Sequence, residues 1–212
     1  ENLINVMSSN EYLTRVNLMD AANPDTDTPI NIGKKVVVVG GGNTAMDSCR
    51  TAKRLGADVT IVYRRSEVEM PARLEEVKHA KEEGIHFLTL HNPKEYLADD
   101  QGRVRAVVLD VMRLGEPDAS GRRSPVPTGE TQTLECDQVI VSIGVSPNPL
   151  VPKSVSGLEL GRKNTIVVGE DMRSSRPNIY AGGDIVRGGA TVILAMGDGR
   201  RAAANMASQL LA

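Results

Sequence analysis

Three consecutive glycines, Gly40, Gly41 and Gly42, carry the clearest chemical signal in this sequence. Gly40, Gly42 and Ala45 match the pattern G-x-G-x-x-A. In this pattern the first glycine permits a tight turn, and the second lets the backbone approach a pyrophosphate. The third small residue allows a helix to pack closely on a strand. The spacing therefore predicts a turn that binds the phosphates of a dinucleotide.

Asn43 and Thr44 begin the helix that we predict after the glycines, over residues 43–55. The N-terminus of a helix offers unpaired N–H groups and the positive end of its dipole to an anion. The two side chains have two alternative roles, and the sequence does not choose between them. They bond phosphate or nicotinamide, or they cap the helix.

The glycine pattern is weak by itself, because it occurs again at Gly197, Gly199 and Ala202. There the preceding residues continue a helical stripe of apolar positions, and only thirteen residues follow Gly199. That length is too short for a helix and a returning strand. We therefore predict a helix at the second occurrence, and a nucleotide-binding turn only at the first, where a strand precedes and a helix and a strand follow.

Two arginines, Arg64 and Arg65, end the second predicted strand, where an NAD-type site carries an aspartate or glutamate. Guanidinium groups suit a 2′-phosphate, because they can form bidentate, charge-assisted hydrogen bonds, and one of them can stack on adenine. Ser66 could add a hydrogen bond from its hydroxyl group. The pair favours NADP(H) as the ligand, and the alternative is a solvated basic turn.

These residues need a parallel sheet to position them. The run KKVVVVG suits a strand buried on both faces, and DVTIVY and IHFLTL suit two further strands. Helices over residues 43–55, closed by Gly56, and over residues 71–84, from Pro71 to Gly84, alternate with these strands. The order predicts an α/β fold with a Rossmann-like, doubly wound parallel sheet.

The pattern changes from Pro93 onward. We predict a three-stranded antiparallel excursion that covers one face of the sheet, with residues 116–129 as a loop, before QVIVSIG returns as a buried strand. Short strands TIVV and NIYAGGD and a long helix follow. At the start of the chain, helical spacing of apolar residues from Val6 to Leu18 predicts a helix with a cap among residues 8–10.

Composition excludes several classes of function. The net charge is −2 and aromatic residues make up 2% of the chain, so we expect neither nucleic acid nor a membrane surface as a partner. No transmembrane run and no signal peptide is visible, which predicts a cytoplasmic protein. Cys49 and Cys136 lie far apart in the sequence, and we expect buried thiols rather than a redox pair.

No acid–base or nucleophilic set stands out, so we predict no catalytic side chain and no metal site in this chain. His79, His86 and His91 are scattered over a predicted helix, a strand and a strand end. We interpret them as structural residues. The protein would then supply position and electrostatics, while the chemistry would belong to the bound cofactors.

Several motifs together resemble the small (beta) chain of NADPH-dependent glutamate synthase. Near relatives of that family are the large subunit of electron-bifurcating ferredoxin–NADP oxidoreductase and the reductase part of dihydropyrimidine dehydrogenase. The resemblance covers essentially the whole chain. It is carried by NEYLTRVNLM, GKKVVVVGGGNTAMD, VYRRSEVEMPAR, HAKEEGIHF, LGEPDASGRRSPVP, SIGVSPNPL and AGGDIVRGGATVILAMGDGRRAA.

The resemblance implies a second cofactor, FAD. In that family the carboxylate that matches Asp184 bonds the ribityl or pyrophosphate part of FAD, and the helix from Thr191 directs its N-terminus at the flavin. The positive end of that helix would stabilise anionic reduced flavin. Glycines at 197 and 199 within the helix suggest close approach to a neighbour. The resemblance assigns cofactor contacts in this half of the chain to Gly144, Gly183, Asp184, Ala190, Thr191 and Val192.

Members of that family begin with cluster-binding cysteines and a first glycine motif for FAD, and the present sequence contains neither. We therefore expect a C-terminal piece that holds half of a FAD site, whose parent carries 4Fe-4S clusters. Residues 1–32 would connect from the N-terminal FAD and cluster region. Residues 33–145 would form the NADPH-binding domain, and residues 146–212 the C-terminal part of the FAD-binding domain.

The resemblance implies hydride transfer from NADPH to FAD, and electron transfer through iron–sulfur clusters to the large (alpha) subunit of glutamate synthase or to another acceptor. Three alternatives stay open at this point. The chain could be a non-catalytic NADP(H)-binding or sensor module, part of a reductase for ferredoxin, or a complete small reductase that recruits free flavin. Apolar surface exposed by a missing half would also favour a homo-oligomer.

Overall fold

The computed structural model describes residues 2–23, 25–117, 121–161 and 163–211. The chain divides into two compact units, Glu1–Ile143 and Gly144–Ala212. Among its described residues, the first unit contains eight strands: β1 (Val6–Ser8), β2 (Lys35–Val39), β3 (Asp58–Tyr63), β4 (His86–Thr89), β5 (His91–Ala98), β6 (Val104–Pro117), β7 (Arg123–Glu135) and β8 (Gln138–Val141). The α-helices of the described residues are α1 (Ser9–Leu13), α2 (Asn43–Arg54), α3 (Leu74–Glu82), α4 (Leu150–Ser154), α5 (Asp184–Arg187) and α6 (Val192–Leu210), and a π-helical turn over Thr14–Leu18 follows α1.

The centre of the first unit is a five-stranded sheet in the order β1-β8-β2-β3-β4, and each neighbouring pair is parallel. Helix α2 connects β2 to β3, and helix α3 lies between β3 and β4 in the chain. The predicted Rossmann-like α/β fold is confirmed. The carboxyl ends of β2, β3 and β8 therefore meet at one edge of the sheet, where such folds bind ligands.

The valine run of β2 explains why this sheet is buried on both faces. Val36 and Val38 belong to a core with helical residues such as Met46, while Val37 and Val39 belong to a second core. Successive side chains of a strand point to opposite faces, so a continuous apolar run serves both layers. The second core also contains residues of β6, among them Leu109.

The second layer is the predicted three-stranded antiparallel sheet, in the order β5-β6-β7. The prediction of a loop over residues 116–129 was wrong, because β6 continues to Pro117 and β7 begins at Arg123. Residues 118–120 lie outside the part that the structure describes. Pro125 and Pro127 suggested a loop, but β7 is an edge strand, and such a strand tolerates residues without an N–H donor.

The start of the chain differs from its prediction in one respect. Val6 belongs to β1, which pairs with β8, and the helix begins only at Ser9. The hydroxyl group of Ser8 accepts a hydrogen bond from the Glu11 N–H at 3.1 Å, so a cap among residues 8–10 is confirmed. Residues 1–32 lie in the same compact unit as the parallel sheet.

The second unit has less regular structure. The predicted strands TIVV and NIYAGGD contribute only isolated bridges, such as Val168 with Ser174 and Arg173 with Tyr180. Helix α6 is confirmed over nineteen residues and includes Gly197 and Gly199, so the second glycine pattern is helical, as predicted. Across the described ranges of both units, no helix has the length and apolar character needed to cross a membrane.

Candidate nucleotide-binding site

The glycine turn follows β2 at the carboxyl edge of the sheet, and packing requires two of its glycines. Gly40 has φ +141°, and a Cβ atom there would lie 2.2 Å from the carbonyl oxygen of Ser142. A Cβ atom on Gly41 would lie 2.7 Å from the ring of Tyr63. At both positions a side chain is therefore excluded by neighbouring residues of the chain, Ser142 directly after β8 and Tyr63 of β3, rather than by a ligand.

Gly42 differs, because an added Cβ atom would meet no atom of the chain within 4 Å. Gly42 is the N-cap of α2 and offers no side-chain cap, while Asn43 and Thr44 are exposed. Ala45 is fully buried against the core, as the third position of the pattern predicts. The open side of the turn thus presents the helix N-terminus to solvent, in an arrangement suited to a phosphate group.

Asn43 has a role that the sequence did not suggest. Its side-chain oxygen accepts a hydrogen bond from the Arg73 N–H at 2.9 Å, and the Gly41 carbonyl accepts one from the Ala72 N–H at 3.1 Å. These bonds fasten the segment after β3 to the glycine turn. They also place the exposed Arg73, which is the N-cap residue of α3, beside the start of α2. Helix α3 begins at Leu74, later than the predicted Pro71.

The two arginines at the end of β3 have different environments. Arg64 is exposed and forms no hydrogen bond or ion pair with any residue that the structure describes. Arg65 is only 8% exposed, and its Nε donates to the Arg123 carbonyl oxygen at 2.8 Å. The N–H and hydroxyl groups of Ser66 both donate to the Glu69 carboxylate, at 3.2 and 3.0 Å. Ser66 is thus already engaged in capping the short turn Glu67–Glu69.

No thiol chemistry is available at this site. Cys49 and Cys136 are buried and unpaired, and burial raises the pKa of each thiol to about 12. They are neutral at physiological pH and therefore unreactive.

The three histidines lie in separate places in the first unit. His79 lies on α3, and His86 begins β4, with its Nε2 3.5 Å from Asp58 Oδ1. The Nδ1 of His91 lies 2.7 Å from the Thr89 carbonyl oxygen.

The second unit contains the other predicted contact residues. Asp184 Oδ1 accepts a hydrogen bond from the Ala190 N–H at 3.2 Å, and the Thr191 hydroxyl caps α6 by accepting from the Leu194 N–H at 3.4 Å. Val192 is 74% exposed at the first position of α6. Gly144 has φ +97° and open space around it, and Gly183 has φ +74°.

An ion pair that the sequence analysis missed shapes the segment around Gly183. Asp198 is 1% exposed on α6, and its carboxylate accepts two hydrogen bonds from Arg187, both at 2.6 Å, and one from the Gly183 N–H at 3.0 Å. These bonds hold the pKa of Asp198 well below its usual range. A sequence signal existed, since a single aspartate inside an apolar helix needs a partner.

The glycines around this aspartate make no close contact within the described chain, so their predicted close approach to a neighbour stays a prediction. An added Cβ atom at Gly197 or Gly199 would meet nothing within 4 Å, so no described residue approaches them closely. The close approach occurs instead at Gly182, where a Cβ atom would lie 2.7 Å from the Cβ of Asp198. The backbone of residues 182–183 thus rests directly on α6.

Comparisons with known proteins agree with this architecture. A family model described as pyridine nucleotide-disulphide oxidoreductase matches residues 5–199. The chain is 44% identical over 177 residues to the NADP(+)-dependent formate dehydrogenase subunit beta of Moorella thermoacetica, covering 82% of this chain and 25% of that protein. It is 41% identical over 177 residues to the glutamate synthase [NADPH] small chain of Escherichia coli (strain K12), covering 81% and 38%.

Among solved structures, thioredoxin reductase of T. acidophilum matches with a TM-score of 0.69 and 26% identity, over 84% of this chain and 53% of that one. The resemblance to glutamate synthase small chains that the motifs indicated is confirmed by these identities. The chain spans well under two thirds of the length of each of these three proteins.

The glycine turn yields a stability prediction. Gly40→Ala should lower the free energy of unfolding by about 1–3 kcal/mol through backbone strain alone, with the clash against Ser142 adding to this loss. Gly42→Ala should cost less than about 1 kcal/mol, because φ is −91° there and the space is open. Urea unfolding followed by circular dichroism measures both. Equal losses would contradict the assignment of different roles.

The buried ion pair yields a pH prediction. Because its pKa is lowered in the folded state, ionised Asp198 stabilises the second unit above about pH 4, the usual range for an aspartate, and this contribution disappears as the pH falls through the lowered value. Asp198→Asn should therefore lower the unfolding midpoint at pH 7, and the difference from the wild type should shrink in acid. Glu170→Gln, an exposed acid in the same unit, is the control. A difference that stays constant down to pH 2 would refute this linkage.

Proposed function

We propose a function for this chain from its family, since it belongs to the pyridine nucleotide-disulphide oxidoreductase family. The chain is the NADPH-binding portion of a flavin-dependent oxidoreductase of the glutamate synthase small-chain type. When bound, NADP(H) supplies the hydride and FAD receives it. The residues of this chain bind and orient the nucleotide. In the intact protein, electrons would continue through 4Fe-4S clusters to a partner subunit.

The observation that carries this proposal is the pairing of an open phosphate turn with unneutralised cations at the same sheet edge. Gly42 leaves space at the N-terminus of α2, while Arg64 and Arg65 directly follow the neighbouring strand β3 and form no ion pair with a described carboxylate. A guanidinium as buried as that of Arg65 is costly without an anion. A nucleotide with a 2′-phosphate would supply that anion.

The flavin part of the proposal rests on the second unit. Asp184 begins α5 and Thr191 is the N-cap residue of α6, and both side chains already accept backbone hydrogen bonds. Asp184 Oδ2 keeps its capacity to accept from a ribityl hydroxyl group. We propose half of a FAD site here, completed by an N-terminal FAD and cluster region of the parent.

The identity of the electron acceptor is a further part of the proposal. One similar protein is named for formate dehydrogenase and another for glutamate synthase, so related chains serve different partners. The large subunit of glutamate synthase is the acceptor that the motifs favour. A ferredoxin-type acceptor is the alternative.

Nucleotide titrations test the proposal on the full chain. Arg64→Ala should weaken NADPH binding by very roughly 1.5–3 kcal/mol and leave NADH binding little changed, because only NADPH carries the 2′-phosphate. Gly42→Ala should weaken both, since its methyl group would occupy the space of the shared pyrophosphate. Arg103→Ala, an exposed arginine in the turn between β5 and β6, is the control. Fluorescence titration or calorimetry gives the dissociation constants, and equal losses of NADPH and NADH with Arg64→Ala would refute the assignment.

The same samples separate the alternatives for flavin. Saturable NADPH binding without yellow colour is expected if the chain holds half of a FAD site. A chain that keeps stoichiometric FAD and reduces an artificial acceptor with NADPH would instead be a complete small reductase. The absorbance at the flavin band and the rate of NADPH oxidation distinguish the two outcomes.

A further inference from the structure

The hydrogen bond from Arg65 to Arg123 joins two layers of the first unit. Arg65 lies two residues after β3 of the parallel sheet, and Arg123 is the first residue of β7 in the antiparallel sheet. The donor is the Arg65 Nε and the acceptor is the backbone carbonyl oxygen of Arg123, at 2.8 Å. The first residue of β7 therefore lies beside the guanidinium of Arg65.

This contact brings the backbone of another arginine, Arg123, beside the guanidinium of Arg65. The carbonyl oxygen satisfies one N–H of Arg65 but does not neutralise its charge. Arg123 is exposed, and its side chain forms no ion pair with any carboxylate among the described residues. Arg64 adds a third such cation, next to Arg65 in sequence. Residues 64, 65 and 123 therefore lie close along the backbone, and none of their side chains pairs with a described carboxylate, so together they could supply charge to an anion of high charge.

We propose that Arg123 is a further specificity-determining residue, which contributes a cation from the antiparallel sheet to the 2′-phosphate site formed with Arg64 and Arg65. The inference rests on the proposed function. A phosphate monoester carries between one and two negative charges near pH 7 and three acceptor oxygens, so it can engage more than one guanidinium group. The antiparallel sheet would then select the nucleotide as well as cover the core.

The role of the Arg123 side chain can be tested separately from the contact with Arg65, because that contact uses the backbone carbonyl oxygen of residue 123. Arg123→Ala removes the side-chain charge and leaves that acceptor in place, so Arg65 keeps its anchor. The probes are NADPH, NADH, adenosine 2′,5′-bisphosphate and AMP, each titrated against the full chain at low and high salt. Arg103→Ala is again the matched control.

Arg123→Ala should weaken NADPH and the bisphosphate by about ten-fold, the effect of one lost charge-assisted hydrogen bond, with NADH and AMP changed less than two-fold. The loss should be smaller in high salt, where exposed charges are screened. Circular dichroism and a urea midpoint close to the wild-type values would show that the fold is kept.

Two results would overturn the inference. If Arg123→Ala binds NADPH as the wild type does while Arg64→Ala does not, the proposed function stands and Arg123 has no part in the site. If Arg123→Ala weakens NADPH and NADH equally, residue 123 acts on the fold or on the pyrophosphate rather than on the 2′-phosphate. Failure of the wild-type chain to prefer NADPH over NADH would instead refute the proposed function itself.

Discussion

The close contact between Gly40 and the carbonyl oxygen of Ser142 is the constraint on which the rest of the site depends. Strand β2 is packed on both faces and flanked by β3 and β8, so the chain must leave the sheet within a very small space. Only a residue without Cβ can do this at φ +141°. The turn then places Gly42 at the N-terminus of α2, where an added Cβ atom would meet no other atom of the chain within 4 Å. The packing that stabilises the core therefore leaves this side of the turn accessible to a ligand.

The segment after β3 adds polar positioning to this apolar frame. Hydrogen bonds from Ala72 and Arg73 attach it to the glycine turn, and the bond from Arg65 attaches it to β7. A guanidinium held in this way loses conformational freedom before any ligand arrives, so less entropy is lost on binding. The cost is a poorly hydrated cation, which the carbonyl of residue 123 offsets only in part. Beside such a guanidinium an anion is more favourable than water, which agrees with the proposed preference for a nucleotide with a 2′-phosphate.

Much of this architecture could be predicted from local sequence. The valine run, the glycine spacing and the helix ends at Gly56 and Gly84 indicated the parallel sheet and its turn correctly, because each depends on neighbouring residues. The prolines of β7 led to the wrong prediction of a loop. Proline is tolerated in a strand at the edge of a sheet, and the edge position depends on the whole sheet rather than on neighbouring residues. The bond between Asn43 and Arg73, and that between Arg65 and residue 123, join segments 30 and 58 residues apart. No local pattern encodes such contacts.

The two units differ in how many apolar side chains they bury in their own interior. The first has two apolar cores, one on each face of its sheet. In the second, α6 buries only Asp198 and Ala202, and apolar side chains such as Ile193 and Met196 are largely exposed. A helix of this kind gains little from burial and relies on the Arg187–Asp198 pair, so we expect it to need further apolar contacts. Under the proposed function, the nucleotide preference resides in the first unit, which has both of these cores. That separation is consistent with related chains serving differently named complexes, because an acceptor can change without altering the residues that select the nucleotide.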